Sequence, residues 1–375
     1  MKYVSALISL CLLPVAWTAT AHAADPAPPS RNPFPLQLVA RVPYAPTAFP
    51  SKGESYLAYE LHLTNLSNNP ITLSRVEVLD ADSGKPVTSL EGNQLDALLQ
   101  PMGSTPPGPH VIAAGGTVVA FMWLSFPKDA HIPDRLSHHV VTPDNEIEGA
   151  VIGTYTTKLQ VLSPPVHGIG WNASDGPSND ADNHHRRGVL AIDGNAVISR
   201  RYAIDWFLHK DGNFIAGDPH DLHSYYDFGQ PVYAVADAVV VEAKDGQPDN
   251  VPGPVATFHP AVPITMDTVG GNHIVLDLGG GHYAWYFHLH QGSVLVKTGD
   301  HVKRGQALAQ IGCSGDPPVP HLHFEVTTSS KLLAGEGIPY VFDHYKVQNP
   351  DKTWQLRRHE LPLDHMMLDL GDETR

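Results

Sequence analysis

The chain is short of cysteine, short of positive charge and without a long apolar run after its start, and each shortage narrows what it can be. Only Cys11 and Cys313 occur in 375 residues. Cys11 lies in an apolar stretch, residues 4–17, that follows Lys2 and leads to Ala21-His22-Ala23. That is the layout of a secretory signal peptide over residues 1–23. Cleavage there leaves Cys313 alone, so no internal disulfide staples the exported chain and packed cores must hold it. Cys11 follows Leu10 where a lipoprotein signal needs a small residue. The apolar stretch is too short to span a bilayer and no later one is long enough, so no membrane span is expected. Lys and Arg total 24 against 39 Asp and Glu, a net charge of −15. Such a chain is not built to neutralise nucleic-acid phosphates, and no nucleic-acid partner is expected. The expected location is periplasmic or extracellular.

What the chain has in quantity is turn formers, with 32 Gly and 34 Pro, and short runs of aromatic and β-branched residues between them. This composition favours an all-β protein. Residues 24–35 read as a Pro-rich leader. Over 36–163, strand candidates at 36–42, 56–65, 71–79, 117–126 and 150–161 alternate with turn clusters, the spacing of an immunoglobulin-like antiparallel β-sandwich. A short helix is expected near 94–99. His110, His138 and His139 are read as surface residues without chemistry. Ser163-Pro164-Pro165 is the linker to a second domain, 164–335, and residues 336–375 read as a polar tail.

The chemistry concentrates in Pro320-His321-Leu322-His323-Phe324-Glu325-Val326. Period-two alternation makes this a strand with Leu322, Phe324 and Val326 toward the core. His321 and His323 then share the other face. Two imidazoles so placed can hold one metal, or one can hold it while the other handles a proton of the attacking water. The alternative is two exposed histidines on an ordinary strand.

Upstream lie Gly229-Gln230-Pro231-Val232-Tyr233-Ala234, then Tyr286-Phe287-His288-Leu289 in a hairpin turning at Gly279-Gly280-Gly281, then Gly299-Asp300-His301-Val302-Lys303-Arg304-Gly305-Gln306. With His321-Leu322-His323-Phe324-Glu325, this ordered series resembles the lysostaphin-type (LytM-like) zinc metallopeptidases, over nearly all of 229–326. The resemblance implies a LytM-like antiparallel β-sheet domain, Zn²⁺ as cofactor and peptidoglycan peptides as substrate. It implies His323 as a zinc ligand, with His288 and His321 managing the water and the oxyanion. His290 falls outside the motif and is read as structural or solvent-facing.

The departure lies at the remaining ligands, which the family takes from His-x-x-x-Asp. Here Arg201-Tyr202-Ala203-Ile204-Asp205 supplies Asp205, but Arg201 stays cationic and cannot ligate. Three replacements stand open. Residues 188–203 read as a hairpin turning at Asp193-Gly194-Asn195, and continuing its ladder backward places His184 opposite Asp205. A longer loop or a bulge would place His185 there instead. His223-Ser224-Tyr225-Tyr226-Asp227 repeats the motif but runs straight into Gly229. With no replacement, the chain would be a non-catalytic relative that binds or activates another wall hydrolase. A third class, a biotin- or lipoyl-type carrier, is suggested only by the 299–306 run, and the hairpins here lack the exposed lysine that carriers need.

Overall fold

The computed structural model describes residues 35–103, 106 and 108–371. The expected signal peptide and nearly all of the leader lie outside these residues. The described chain is dominated by antiparallel sheet, and no described helix is long and apolar enough to cross a membrane.

The N-terminal half consists of two sheets. One runs in the order Leu38–Arg41, Glu54–Asn65, Thr117–Pro127, Leu99–Met102, with Phe49–Ser51 added beside Glu54–Asn65. The other runs Glu146–Gly153, Arg135–Val141, Arg75–Asp80, Pro86–Glu91. Leu57, Tyr59, Leu61 and Leu63 meet Val76, Val78, Leu136 and Val140 in a core between them. The expected short helix forms over Gly92–Leu98 and buries Leu95.

The Glu54–Asn65 strand does not alternate between buried and exposed, because its second face is also covered. Tyr56 and Ala58, with Phe49, share a core with Tyr202, Ile204 and Leu322 from the other half. The two halves therefore share apolar packing, with Phe49 edge-on to Tyr202 at 5.3 Å between centroids.

His138 departs from the surface placement expected of it. Its side chain is fully buried, with Nε2 2.9 Å from the Tyr59 hydroxyl and Nδ1 3.0 Å from the Ala150 carbonyl. A histidine on the core face of a strand is tolerated when both nitrogens find partners. His110 and His139 are half-buried and pair with Asp96 and with Glu77 and Glu146.

The C-terminal half is built on a ten-stranded sheet, whose middle runs Asn272–Gly279, His282–Leu289, Leu322–Thr327, Ile204–Leu208, Ile169–Ser174, Met366–Asp369. The segment expected to be a tail is part of this sheet. Met366–Asp369 pairs with Ile169–Ser174, and Tyr345–Gln348 and Trp354–Arg357 extend the edge. Tyr340, Phe342, Leu361 and Leu368 are fully buried. Their short runs are separated by polar turns, which hides an apolar face that only long-range pairing assembles.

Candidate metal centre

Two site residues are fixed by the sheet ladder itself. Asp205 and His323 are direct partners across the Ile204–Leu208 and Leu322–Thr327 strands, and Phe287 pairs with His323 on the opposite side. The odd members His321 and His323 share a face while Leu322 and Phe324 are fully buried in the core, as the alternation requires. Both histidines are buried rather than exposed on an ordinary strand.

His323 Nδ1 lies 2.8 Å from Asp205 Oδ1, and its Nε2 lies 3.4 Å from Glu325 Oε2. Burial alone would push this imidazole down, but the hydrogen bonds and charges of Asp205 and Glu325 outweigh it and raise it to about 9. For Asp205, burial is likewise overcome by His185, His321 and His323, which hold the carboxyl well below its usual range.

Beside Asp205, where Arg201 supplies no ligand, stands His185. Its Nε2 points at Asp205 Oδ2 at 3.5 Å, and its ring stands edge-on to His323 at 4.7 Å. Its Nδ1 sits 2.8 Å from the Asp175 carbonyl. A carbonyl only accepts, so Nδ1 carries the hydrogen and Nε2 keeps its lone pair toward Asp205. Burial holds this imidazole well below its ordinary value, so it stays neutral.

His184, His185 and Asp205 each bring a ligand atom within 4.8 Å of the others. They are not equivalent, however. The His184 side chain is 55% exposed and pairs with Asp175, whereas that of His185 is 2% exposed. Neither histidine lies on a continuation of the expected ladder. The hairpin does form, Leu190–Ile192 with Asn195–Val197, but the strand paired with Asp205 on that side is Ile169–Ser174, through Ser174. The histidines arrive on a turn just before the hairpin. His223 is held elsewhere, edge-on to Phe228 at 5.2 Å.

Arg201 points away from the centre, toward the N-terminal half. It donates to both oxygens of Glu60, at 3.1 and 2.7 Å, and to Glu336 at 2.7 Å.

His288 and His321 face the same space, with ring centroids 5.0 Å apart. His288 gets there through a bulge. Asn272 pairs with Leu289 and Ile274 with Tyr286, so Phe287 and His288 together oppose His273. His288 adopts φ 62°, a conformation that a non-glycine residue holds only when its surroundings dictate it. Its Nδ1 bonds to the Ser314 carbonyl at 3.0 Å. That carbonyl comes so close because Gly271 has no side chain: a Cβ there would sit 2.2 Å from the Ser314 oxygen. His321 Nδ1 is likewise 3.1 Å from the Val319 carbonyl. Both rings thus carry hydrogen on Nδ1 and turn the Nε2 lone pair inward, that of His321 to 3.5 Å from Asp205 Oδ1. Burial, then the neighbouring His321 and His323, hold His288 well below its ordinary value, so it is neutral. Asp316 borders the space, 3.8 Å from His288 Nε2.

Sequence reasoning did not single out Glu325 as a partner of His323 or Asp316 at the mouth. Period-two spacing could have found Glu325, which shares the face of His323. His290 is half-buried and bonded through Nδ1 to Asp249 at 2.6 Å. Cys313 is buried, which pushes its thiol up and away from reactivity.

The donor set of His185, Asp205 and His323 fits a divalent metal. It offers two imidazoles and one carboxylate, each imidazole with its other nitrogen held by an outer acceptor.

Comparison with known proteins agrees with the ordered motifs. Residues 222–334 match the family model described as Peptidase family M23. The chain is 31% identical over 115 residues to the glycyl-glycine endopeptidase ALE-1 of Staphylococcus capitis, covering 30% of this chain and 26% of that protein. It is 39% identical over 75 residues to lysostaphin of Staphylococcus simulans, covering 19% and 15%. Against the peptidoglycan DD-endopeptidase ShyA of Vibrio cholerae it is 31% identical over 140 residues, covering 34% and 26%. The chain thus spans about a quarter or less of these relatives' lengths. Among solved structures, the catalytic domain of lysostaphin aligns at 25% identity over 45% of this chain and 88% of that domain, with a TM-score of 0.25. The chain carries a lysostaphin-type (LytM-like) domain of peptidase family M23. The matched segment includes His288, His321 and His323 but begins after His185 and Asp205.

Proposed function

We propose that the chain is an exported zinc endopeptidase that cleaves peptide bonds in peptidoglycan, with His185, Asp205 and His323 holding the metal. Signal-directed export places it where that substrate is. The N-terminal 36–163 sandwich is read as immunoglobulin-like, a reading supported by the order of its strands in two sheets. The peptidase half starts at 164 and keeps the strands up to Asp369 in its sheet.

The observation that carries the proposal is the convergence of His185 and His323, with His321 beside them, on one buried carboxylate. His323 Nδ1 and His185 Nε2 approach different oxygens of Asp205. Zinc bound there would supply Lewis acidity, polarising the attacked carbonyl and making the attacking water more acidic. The chain's own groups do the rest. His288 and His321 each present a lone pair at Nε2, so either can take the water's proton and return it to the leaving amine. As imidazolium donors they would stabilise the oxyanion. Phe207, 5.1 Å from His321, and Phe287, 5.4 Å from His323, wall the rings and limit water around them.

On this reading Arg201, which by itself favours a degenerate site, is compensated: His185 would serve in its place, and its charge is spent on Glu60 and Glu336. The test is direct. Purified protein should carry about one zinc per chain; a chelator should stop release of peptides from purified peptidoglycan, and added zinc should restore it. Zinc-loaded protein that releases no peptides would sink the enzyme reading and leave a binding module.

A further inference from the structure

Two of the three proposed ligands are held by the peptidase sheet, and the third is not. His185 lies on the turn 183–188, closed by Arg186 N to Asn183 Oδ1 at 2.8 Å and Arg187 N to the Asn183 carbonyl at 3.0 Å. The turn is anchored in both halves, and its two arginines carry the anchors into the N-terminal sandwich. Arg186, 1% exposed, donates through Nη1 to Glu60 and through Nη2 to the carbonyls of Tyr59 at 2.9 Å and Met122 at 3.2 Å. Arg187 donates to the carbonyls of Ala97 at 3.1 Å and Leu98 at 3.3 Å, and its guanidinium lies 4.4 Å from the Phe121 ring centroid. On the peptidase side, the His185 ring is oriented by the Asp175 carbonyl, Asn183 reaches Gly176 and Asp364, and Arg187 also donates to the carbonyls of Asn179 and Asp180.

We infer that the sandwich is a positioning part of the metal centre, with Glu60 acting through Arg186 to fix the turn that presents His185. The inference rests on the zinc reading above. Glu60 is 3% exposed and faces the peptidase half from a strand whose odd residues form the sandwich core. It is shared by Arg186 and Arg201, and Glu336 supplies the second negative charge, so two carboxylates balance two guanidiniums. Arg201 grips both Glu60 oxygens and so fixes the carboxylate, while Arg186 is held by one bond to Glu60 Oε1 and two to the Tyr59 and Met122 carbonyls, a set that fixes the direction of its guanidinium. Arg186 is the residue after His185, so a change at Glu60 displaces the ligand's own backbone. Glu60 and Arg186 are positioning residues; neither touches the reacting atoms.

The test uses the full chain and measures zinc affinity by competition with a chromophoric chelator, well below the melting temperature of each variant. Glu60→Gln and Arg186→Gln should each weaken zinc binding by about 10- to 100-fold. The double variant should be no weaker than the worse single one, because both act through one contact. In the metal-free protein, hydrogen exchange at amides 183–188 should speed up in both. Val76→Ala in the sandwich core should lower the melting temperature without changing zinc affinity or exchange in the turn, which separates positioning from general stability. Folded Glu60→Gln and Arg186→Gln variants that bind zinc as the wild type does would overturn the inference while leaving the zinc reading standing. If both fail to fold, Arg187→Gln decides: its half-buried side chain anchors the same turn, and unchanged zinc affinity there overturns the inference. Wild-type protein that takes up no zinc overturns both readings together.

Discussion

At the scale of single residues, the centre depends on which nitrogen of each histidine is free, and carbonyl acceptors decide that. His185, His288 and His321 each place Nδ1 beside a backbone carbonyl, which leaves Nε2 for chemistry. The roles therefore separate cleanly by substitution. His185→Ala and His323→Ala should lose stoichiometric zinc, whereas His184→Ala should retain it, as metal analysis after dialysis would show. Loss of zinc in His184→Ala with retention in His185→Ala would reverse the assignment. His288→Ala and His321→Ala should keep zinc but lower kcat by about 10²- to 10⁴-fold, the usual contribution of a positioned acid or base. The face shared by His321 and His323 was legible from alternation alone. The choice between His184 and His185 was not, because neither lies on a strand where parity would apply.

At the scale of elements, the Leu322–Thr327 strand works because its neighbours are fixed on both sides, by Ile204–Leu208 and by His282–Leu289. The bulge at His288 adds what regular pairing cannot, turning one side chain into the site. Farther out, Met366–Asp369 covers the free edge of Ile169–Ser174 and so buttresses the strand beside Asp205. A chain ending at residue 337 should therefore be insoluble or lack a cooperative thermal transition by circular dichroism. Leu368→Ala should cost about 2–5 kcal/mol, as deletion of a fully buried leucine does. A soluble, cooperatively melting truncation would return these residues to the status of a tail. The hairpins at 272–289 and 190–197 were legible from their turn residues. The C-terminal strands were not, since runs of three or four residues carry too little periodicity to be told from loop.

At the scale of the whole molecule, the two halves are joined by apolar packing and by the buried charges around Glu60. Burial would raise the Glu60 carboxyl, but Arg201 and Arg186 overcome this and lower it from 4.5 to about 2. The pairing raises Arg201 against the opposing effect of burial, whereas burial pushes Arg186 down. Because the folded value lies below the unfolded one, the contribution of Glu60 is complete above about pH 4.5. It is lost as pH falls through about 2, and amounts to roughly 3 kcal/mol. Denaturant titrations of the wild type should show this loss between those values, and Glu60→Gln should show a lower stability near neutrality with a flatter acid limb. Equal acid limbs in the two proteins would remove Glu60 from the acid response.

The sequence by itself determined the all-β character, the face of the His321 and His323 strand and the ordered motifs of a lysostaphin-type domain. Those features depend on local periodicity, turn chemistry and residue spacing, all of which are written along the chain. Only the tertiary structure decided that His185 stands beside Asp205, that Arg201 turns to Glu60 and that residues 345–369 complete the sheet. Each of those depends on a partner more than a hundred residues away or on a turn with no period, and burial of charge and ring at that distance selects among alternatives that look equal in one dimension.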